Sequence, residues 1–162
     1  MIKTAILTIS DKGSRGERVD GTGTALKKLL EEEGYKIEYY NVIPDEVNKI
    51  VEEIIKASDE LKVDLILTNG GTGFSKRDVT PEATLKVIHK QVPGIPEAMR
   101  MKSLQITPKA MLSRSIAGIR NETLIINLPG SPKGAVENLQ VVMPALEHGI
   151  DILRGEASEC AR

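Results

Sequence analysis

The stretch Asp64-Leu65-Ile66-Leu67-Thr68-Asn69-Gly70-Gly71-Thr72-Gly73 decides how this chain folds. Its first half is a continuous apolar run, the pattern of a strand covered on both faces in a parallel sheet. Its second half turns at once into glycines, which permit positive φ and let the backbone come close to a ligand. Outward from it the same arrangement recurs. Ala5 to Ile9 is another apolar run that ends in Ser10-Asp11 and a glycine-rich loop, and Tyr35 to Ile43 is a further strand. Between them Leu26, Leu29 and Leu30 stand at helical spacing, with Gly34 as the C-cap. Asp45 or Glu46 opens a helix in which Val47, Ile50, Val51, Ile54 and Ile55 keep an amphipathic rhythm. Downstream, Thr80 reads as an N-cap with Pro81 at the first helical position; Pro93-Gly94 ends that helix, and Pro96 to about Gln105 is helical again. Ser115 to Ile119 and Thr123 to Leu128 flank the polar turn Arg120-Asn121-Glu122, a hairpin that adds one antiparallel strand. The last helix carries Val136, Leu139, Val142, Leu146 and Ile150, and Pro144 is expected to kink or restart it. Strands alternating with helices predict a single α/β domain over residues 1–155, with helices on both faces of a mostly parallel sheet, and a flexible tail over 156–162.

The composition narrows the function. Of the 162 residues, 40% are hydrophobic and 28% charged, which is globular rather than disordered. Aromatics reach only 2%, so the core is aliphatic and platforms for stacking bases are not expected. The formal charge of −1 argues against a broad basic footprint for nucleic acid, while leaving room for a local anion pocket. One cysteine, Cys160, and two histidines, His89 and His148, supply neither a disulfide framework nor a metal site built on those residues. With no apolar run of bilayer length and no signal-peptide pattern, the expectation is a cytoplasmic protein that does not engage membranes.

Ligands in open α/β sheets sit at the carboxyl ends of the strands. Three glycine- or proline-rich segments fall there: Ser10 to Gly23, Thr68 to Asp78 and Asn127 to Gly134. One such loop is ordinarily a tight turn; three after three strands point to backbone N–H groups cradling an anion. None has the spacing of a P-loop or dinucleotide fingerprint. Lys76, Arg77 and Asp78 lie together just before the helix at Thr80-Pro81, where cations can hold phosphates. Asp78 would be repelled by those phosphates unless a cation lies between, and Mg²⁺ bound through one or two carboxylates is the usual solution. Asp45, at the end of the second strand, is the second carboxylate on that rim. Taken singly, Asp45 has the ordinary reading of an N-cap, Asp11 and Asp20 of turn formers, and His89 and His148 of surface residues.

The segments Ile9-Ser10-Asp11, Ile43-Pro44-Asp45-Glu46, Thr68 to Phe74 with Arg77 to Thr84, Ala110 to Ser115 with Ala117 to Arg120, and Asn127 to Lys133 occur in this order. Together they resemble the molybdopterin adenylyltransferases of molybdenum-cofactor biosynthesis, the family that includes the gephyrin G domain. The resemblance implies a three-layer α/β/α sandwich with a mostly parallel sheet and one antiparallel strand, assembled as a homotrimer. It also implies transfer of AMP from Mg-ATP to the terminal phosphate of molybdopterin, with pyrophosphate released and the product passed to a separate metal-insertion protein. Carried across position by position, Asp45 and Asp78 match the carboxylates that serve the metal and catalysis. Asp20, Gly70, Gly71, Thr72 and Gly73 fall on the nucleotide side. Ser10, Asp11, Arg77, Ser103, Ser113, Asn127, Pro129, Gly130 and Lys133 fall on the substrate side.

The residues are consistent with that chemistry, since a phosphate monoester is already ionised at neutral pH and needs no protein nucleophile. Two other readings of the same loops stand beside it. One is a non-catalytic molybdopterin-binding or scaffold protein; the other is a Mg²⁺-dependent phosphate-ester hydrolase.

Overall fold

The computed structural model describes residues 1–157. Residues 158–162, including Cys160 and most of the expected tail, lie outside the described residues. Strand β1 (Lys3–Ile9) leads into the one-turn helix α1 (Asp11–Ser14) and then α2 (Gly21–Glu32). Strand β2 (Lys36–Ile43), helix α3 (Val47–Ile55) with a π-helical extension (Lys56–Glu60), and β3 (Leu65–Asn69) follow. Next come α4 (Thr80–Val87), β4 (Lys90–Gln91), α5 (Gly94–Leu104) and a 3₁₀ turn (Pro108–Leu112). The hairpin β5 (Ala117–Arg120) and β6 (Thr123–Leu128) precedes α6 (Pro132–Leu153).

The six strands form one sheet in the order β2-β1-β3-β6-β5-β4. β2, β1, β3 and β6 are mutually parallel, and β5 pairs antiparallel with both β6 and β4. β5 is therefore the one strand running against the rest, as the hairpin reading and the family resemblance had it. Successive side chains of a strand point to opposite faces, and β1 and β3 divide accordingly. Ile6, Leu65 and Leu67 pack with Leu26, Leu30, Met99, Leu139 and Leu146 from α2, α5 and α6. Ala5, Leu7 and Ile66 pack with Ile50, Ile54, Ala83 and Val87 from α3 and α4. These are the two cores of an α/β/α sandwich, and both are aliphatic. β2 is an edge strand and is buried only at its carboxyl end, Ile43.

Several local expectations fail for identifiable reasons. α3 starts at Val47, and neither Asp45 nor Glu46 caps it with a side chain, because the Asp45 carboxylate is turned toward Asp11. Thr80 is not a cap either: it lies inside α4, and its hydroxyl donates to the Gly70 carbonyl (2.9 Å). α6 does not restart at Pro144. Its buried face, Ala135 to Ile150, packs along the sheet and offsets the missing hydrogen bond, a loss of about 3 kcal/mol or more for an interior proline. α1 and the short β4 have no counterpart in the sequence pattern.

Candidate functional site

Because β1, β2, β3 and β6 are parallel, their carboxyl ends share one edge of the sheet, and all three candidate loops leave from it. Ser10 caps α1 by accepting from Gly13 N (3.0 Å), while its own N–H donates to the Ile43 carbonyl at the end of β2 (2.8 Å). Asp11 and Asp45 then bind each other reciprocally. Asp11 N donates to Asp45 Oδ2 (2.9 Å), and Asp45 N donates to Asp11 Oδ1 (3.0 Å). Arg77 closes the other side of Asp11 with a bidentate pair, Nε to Oδ2 (3.0 Å) and Nη2 to Oδ1 (2.9 Å). Asp78 Oδ2 accepts from Ser75 N (3.0 Å).

The glycine loop reaches this close for steric reasons. Gly70 has φ +97°, and a Cβ there would lie 2.4 Å from the Ile9 carbonyl oxygen. Gly71 has φ +69°, and its Cβ would lie 2.3 Å from Thr80 Oγ1 and 3.2 Å from Asp45 Oδ1. Only glycine meets both demands at once.

These loops enclose a polar cavity of about 430 Å³. Ser10, Asp11, Asp20, Asp45, Asp78, Gly70, Gly71 and Gly130 line it, together with Lys12 and Arg18. Asp45 and Asp78, the two carboxylates expected to converge, therefore line one cavity. Asp20 caps α2 through Gly23 N (2.8 Å) and accepts from Thr8 Oγ1 (2.6 Å) and the Tyr40 hydroxyl. Burial first, then the bond to Asp20, push the Tyr40 hydroxyl well above the ordinary tyrosine range. Burial also raises the Asp45 carboxyl above its ordinary value, and the charges of Asp11 and Asp78 add to the rise against the Asp11 N–H bond. Asp11 goes the other way, because the Arg77 guanidinium holds its carboxyl below the usual range.

A second cavity of about 340 Å³ lies on the far side of the same loop. Thr72, Gly73, Ser103, Ser113 and Pro129 line it, with Ile106, Ala110 and Leu112 as its apolar surface and Arg100 and Lys109 as its cations. The fold thus separates the expected nucleotide-side loop residues, Gly70 and Gly71 facing one cavity and Thr72 and Gly73 the other. It also separates the expected substrate residues, since Ser10 and Asp11 stand with the acidic cluster and Ser103 and Ser113 across the wall.

Asn127 lines neither cavity. It is fully buried, accepts from Ile116 N (3.2 Å) and donates to Thr68 Oγ1 (2.9 Å) and Thr84 Oγ1 (3.0 Å). Lys133 is exposed on the first turn of α6, 4.0 Å from Glu137. His89 is on the opposite edge, where its Nδ1 accepts from Asn121 N (3.2 Å).

Two groups escaped the sequence reading. Lys12 and Arg18 sit inside a loop already singled out, so their charge was an available signal. Arg114 lies inside the Ala110 to Ser115 segment that carries the family resemblance but was assigned no role: its Nε donates to the Gly73 carbonyl (2.8 Å), Nη2 to the Asp78 carbonyl (2.9 Å), and Nη1 pairs with Glu82.

Among the described residues no group of three or more His, Cys, Asp or Glu side chains is placed to hold a metal ion. The donors on the rim are hard carboxylate oxygens in a cluster of like charge. That set suits Mg²⁺, which completes its shell with water and phosphate oxygens rather than an all-protein cage. No helix among the described residues is long and apolar enough to cross a membrane.

The family model for a probable molybdopterin binding domain, of the molybdenum-cofactor biosynthesis type, matches residues 5–148. A molybdopterin adenylyltransferase of Helicobacter pylori is 46% identical over 158 residues, covering 95% of this chain and 89% of that protein. Gephyrin of Dictyostelium discoideum is 44% identical across 93% of this chain, which corresponds to 22% of gephyrin. The crystal structure of the molybdopterin biosynthesis enzyme MoaB from Thermus thermophilus superposes with a TM-score of 0.91 at 46% identity, covering 98% of this chain and 100% of that one.

Proposed function

This chain belongs to the molybdenum-cofactor biosynthesis family of molybdopterin-binding domains, and from that premise we propose that it is a molybdopterin adenylyltransferase. The observation that carries the reading is the pairing of Asp45 and Asp78 on one polar cavity, separated by a single glycine loop from an apolar cavity with cations at its edge. In the reaction a terminal phosphate oxygen of molybdopterin attacks the α-phosphorus of ATP. A phosphoanhydride P–O bond forms, the bond to the leaving pyrophosphate breaks, and no protein base is needed.

The protein's task is to bring two polyanions into line. Asp45 and Asp78 would hold Mg²⁺, which neutralises phosphate charge when bound. The N–H groups of the glycine loop, with Lys12 and Arg18, suit the triphosphate. The apolar wall of Ile106, Ala110 and Leu112 suits a flat pterin, and Ser103, Ser113, Arg100 and Lys109 suit its polar edge and phosphate. A homotrimer, cytoplasmic residence and hand-off of the adenylylated product to a metal-insertion protein belong to the same reading.

The second reading, a molybdopterin carrier without ATP chemistry, is favoured by the apolar cavity, which would suffice for it. Pyrophosphate measured with Mg-ATP, with and without molybdopterin, separates the two. Pterin-dependent release is expected. Its absence, with molybdopterin still bound and Mg-ATP silent in calorimetry, would leave the carrier.

A further inference from the structure

Arg114 stands between the 3₁₀ turn and β5, far in sequence from the loop it serves; three of its contacts converge on that loop and a fourth reaches α4. Its backbone N–H donates to the Thr72 carbonyl (2.9 Å), its Nε to the Gly73 carbonyl (2.8 Å) and its Nη2 to the Asp78 carbonyl (2.9 Å), while Nη1 pairs with Glu82 of α4. The guanidinium therefore grips both ends of the segment Gly73–Asp78, whose middle residues are exposed. Within that segment the ties to Asp78 are the Asp78 N–H to the Ser75 carbonyl (3.0 Å) and Ser75 N to Asp78 Oδ2 (3.0 Å). Ser75 is itself exposed, so it anchors nothing by itself. Arg114 is only about one-third exposed, with a side-chain relative accessibility of 33%, and Glu82 holds it in place.

We propose that Arg114 is a positioning residue: by fixing the Gly73 and Asp78 carbonyls it holds the Asp78 carboxylate on the cavity that Asp45 also lines and so sets the affinity of that cavity for a divalent cation. The role of that cation rests on the adenylyl-transfer reading above. A planar fork with five donors can make these three side-chain contacts together, whereas a lysine ammonium cannot reach two separated carbonyls and a carboxylate in one plane.

The test compares wild type with Arg114→Lys and the milder Glu82→Gln, which keeps an acceptor beside the guanidinium. Mn²⁺ affinity is read by electron paramagnetic resonance titration in the presence of a non-hydrolysable ATP analogue, alongside melting temperature, kcat and the KM for molybdopterin. For Arg114→Lys we expect Mn²⁺ affinity and kcat to fall by roughly 10- to 100-fold, the range seen when an outer partner of a metal ligand is removed. The KM for molybdopterin should stay within about twofold, with Glu82→Gln shifted the same way by less. Guanidinium ion added to Arg114→Ala should recover part of the Mn²⁺ affinity. Wild-type Mn²⁺ affinity in Arg114→Lys overturns the proposal. So does a parallel decline of Mn²⁺ affinity, molybdopterin KM and melting temperature in both variants, which is what a merely structural arginine would give. The titration needs no turnover, so an inactive wild type would count against adenylyl transfer and leave this inference to be decided by the Mn²⁺ data.

Discussion

The two cavities share the Gly70 to Gly73 loop as a wall, and they are built in opposite ways. The polar one is held by contacts between chain segments far apart, and Asp11 and Asp20 are restrained from more than one direction. Asp11 is bonded by both Asp45 and Arg77, and Asp20 by three donors. The apolar one draws mostly on a short stretch, Arg100 to Ser113, that carries exposed Met101, Leu104, Ile106, Met111 and Leu112. Reactive charge needs an over-determined frame, because like carboxylates drift apart unless something holds them. A ring needs only a smooth surface with polar groups at its edge. Substitutions in the first cavity should therefore act on turnover, and those in the second on affinity.

The largest effect that would break this contrast is at Asp78. Asp78→Asn should lower pyrophosphate release by about 10²- to 10³-fold, the scale of losing a key electrostatic group. Molybdopterin binding by calorimetry should stay within about tenfold, or ~1.4 kcal/mol. Loss of pterin binding as well would make Asp78 part of a single merged site.

Next is the shared wall. In Gly70→Ala the new Cβ would sit 2.4 Å from the Ile9 carbonyl oxygen at a φ of +97°. Denaturant melts should show a loss of about 2–3 kcal/mol, the scale of backbone strain that cannot relax. A neutral result would mean that the loop is free to move and the separation of the cavities is soft.

On the apolar side, Ile106 is 65% exposed. Ile106→Ala should leave stability within about 0.5 kcal/mol. It should weaken molybdopterin binding by about 1 kcal/mol through lost apolar area, with kcat for bound substrate unchanged. A fall in kcat at saturating substrate would contradict the division of labour.

The smallest effect is a matter of sign. The Asp45 carboxyl is raised above its ordinary 3.8, by burial first and by Asp11 and Asp78 next. Its contribution to stability is thus present below pH 3.8 and is lost as pH rises through the raised value. Without metal, Asp45→Asn should slightly stabilise the protein at pH 7, and in wild type divalent binding should fall off on acidification above the ordinary aspartate range. A destabilised Asp45→Asn would show that the charge is compensated in the free protein.

How far the sequence alone led differs from residue to residue. The rim position of Asp45 and Asp78 was legible because each ends or follows a strand, and parallel strands bring such ends to one edge. Thr80 was misread because a threonine before proline has the chemistry of a cap, yet its hydroxyl found the buried Gly70 carbonyl first. The restart expected at Pro144 did not occur because a local rule met a helix whose other face is packed along its length. Nothing in the spacing of Asn127 distinguished a ligand contact from what the structure has, a buried tie between β6, β3 and α4.

Periodicity and turn chemistry act over a few residues, so the chain's own letters were enough for the alternation of strands and helices, the aliphatic core and the glycine rim. The partnership of Asp11 with Asp45 across 34 residues, of Arg77 with Asp11 across 66, and the grip of Arg114 on the loop before α4 are a different matter. Those depend on strand order and register, which are settled only when distant apolar faces pack together. Tertiary structure alone therefore decided that one glycine loop would face two cavities and which side chains each would receive.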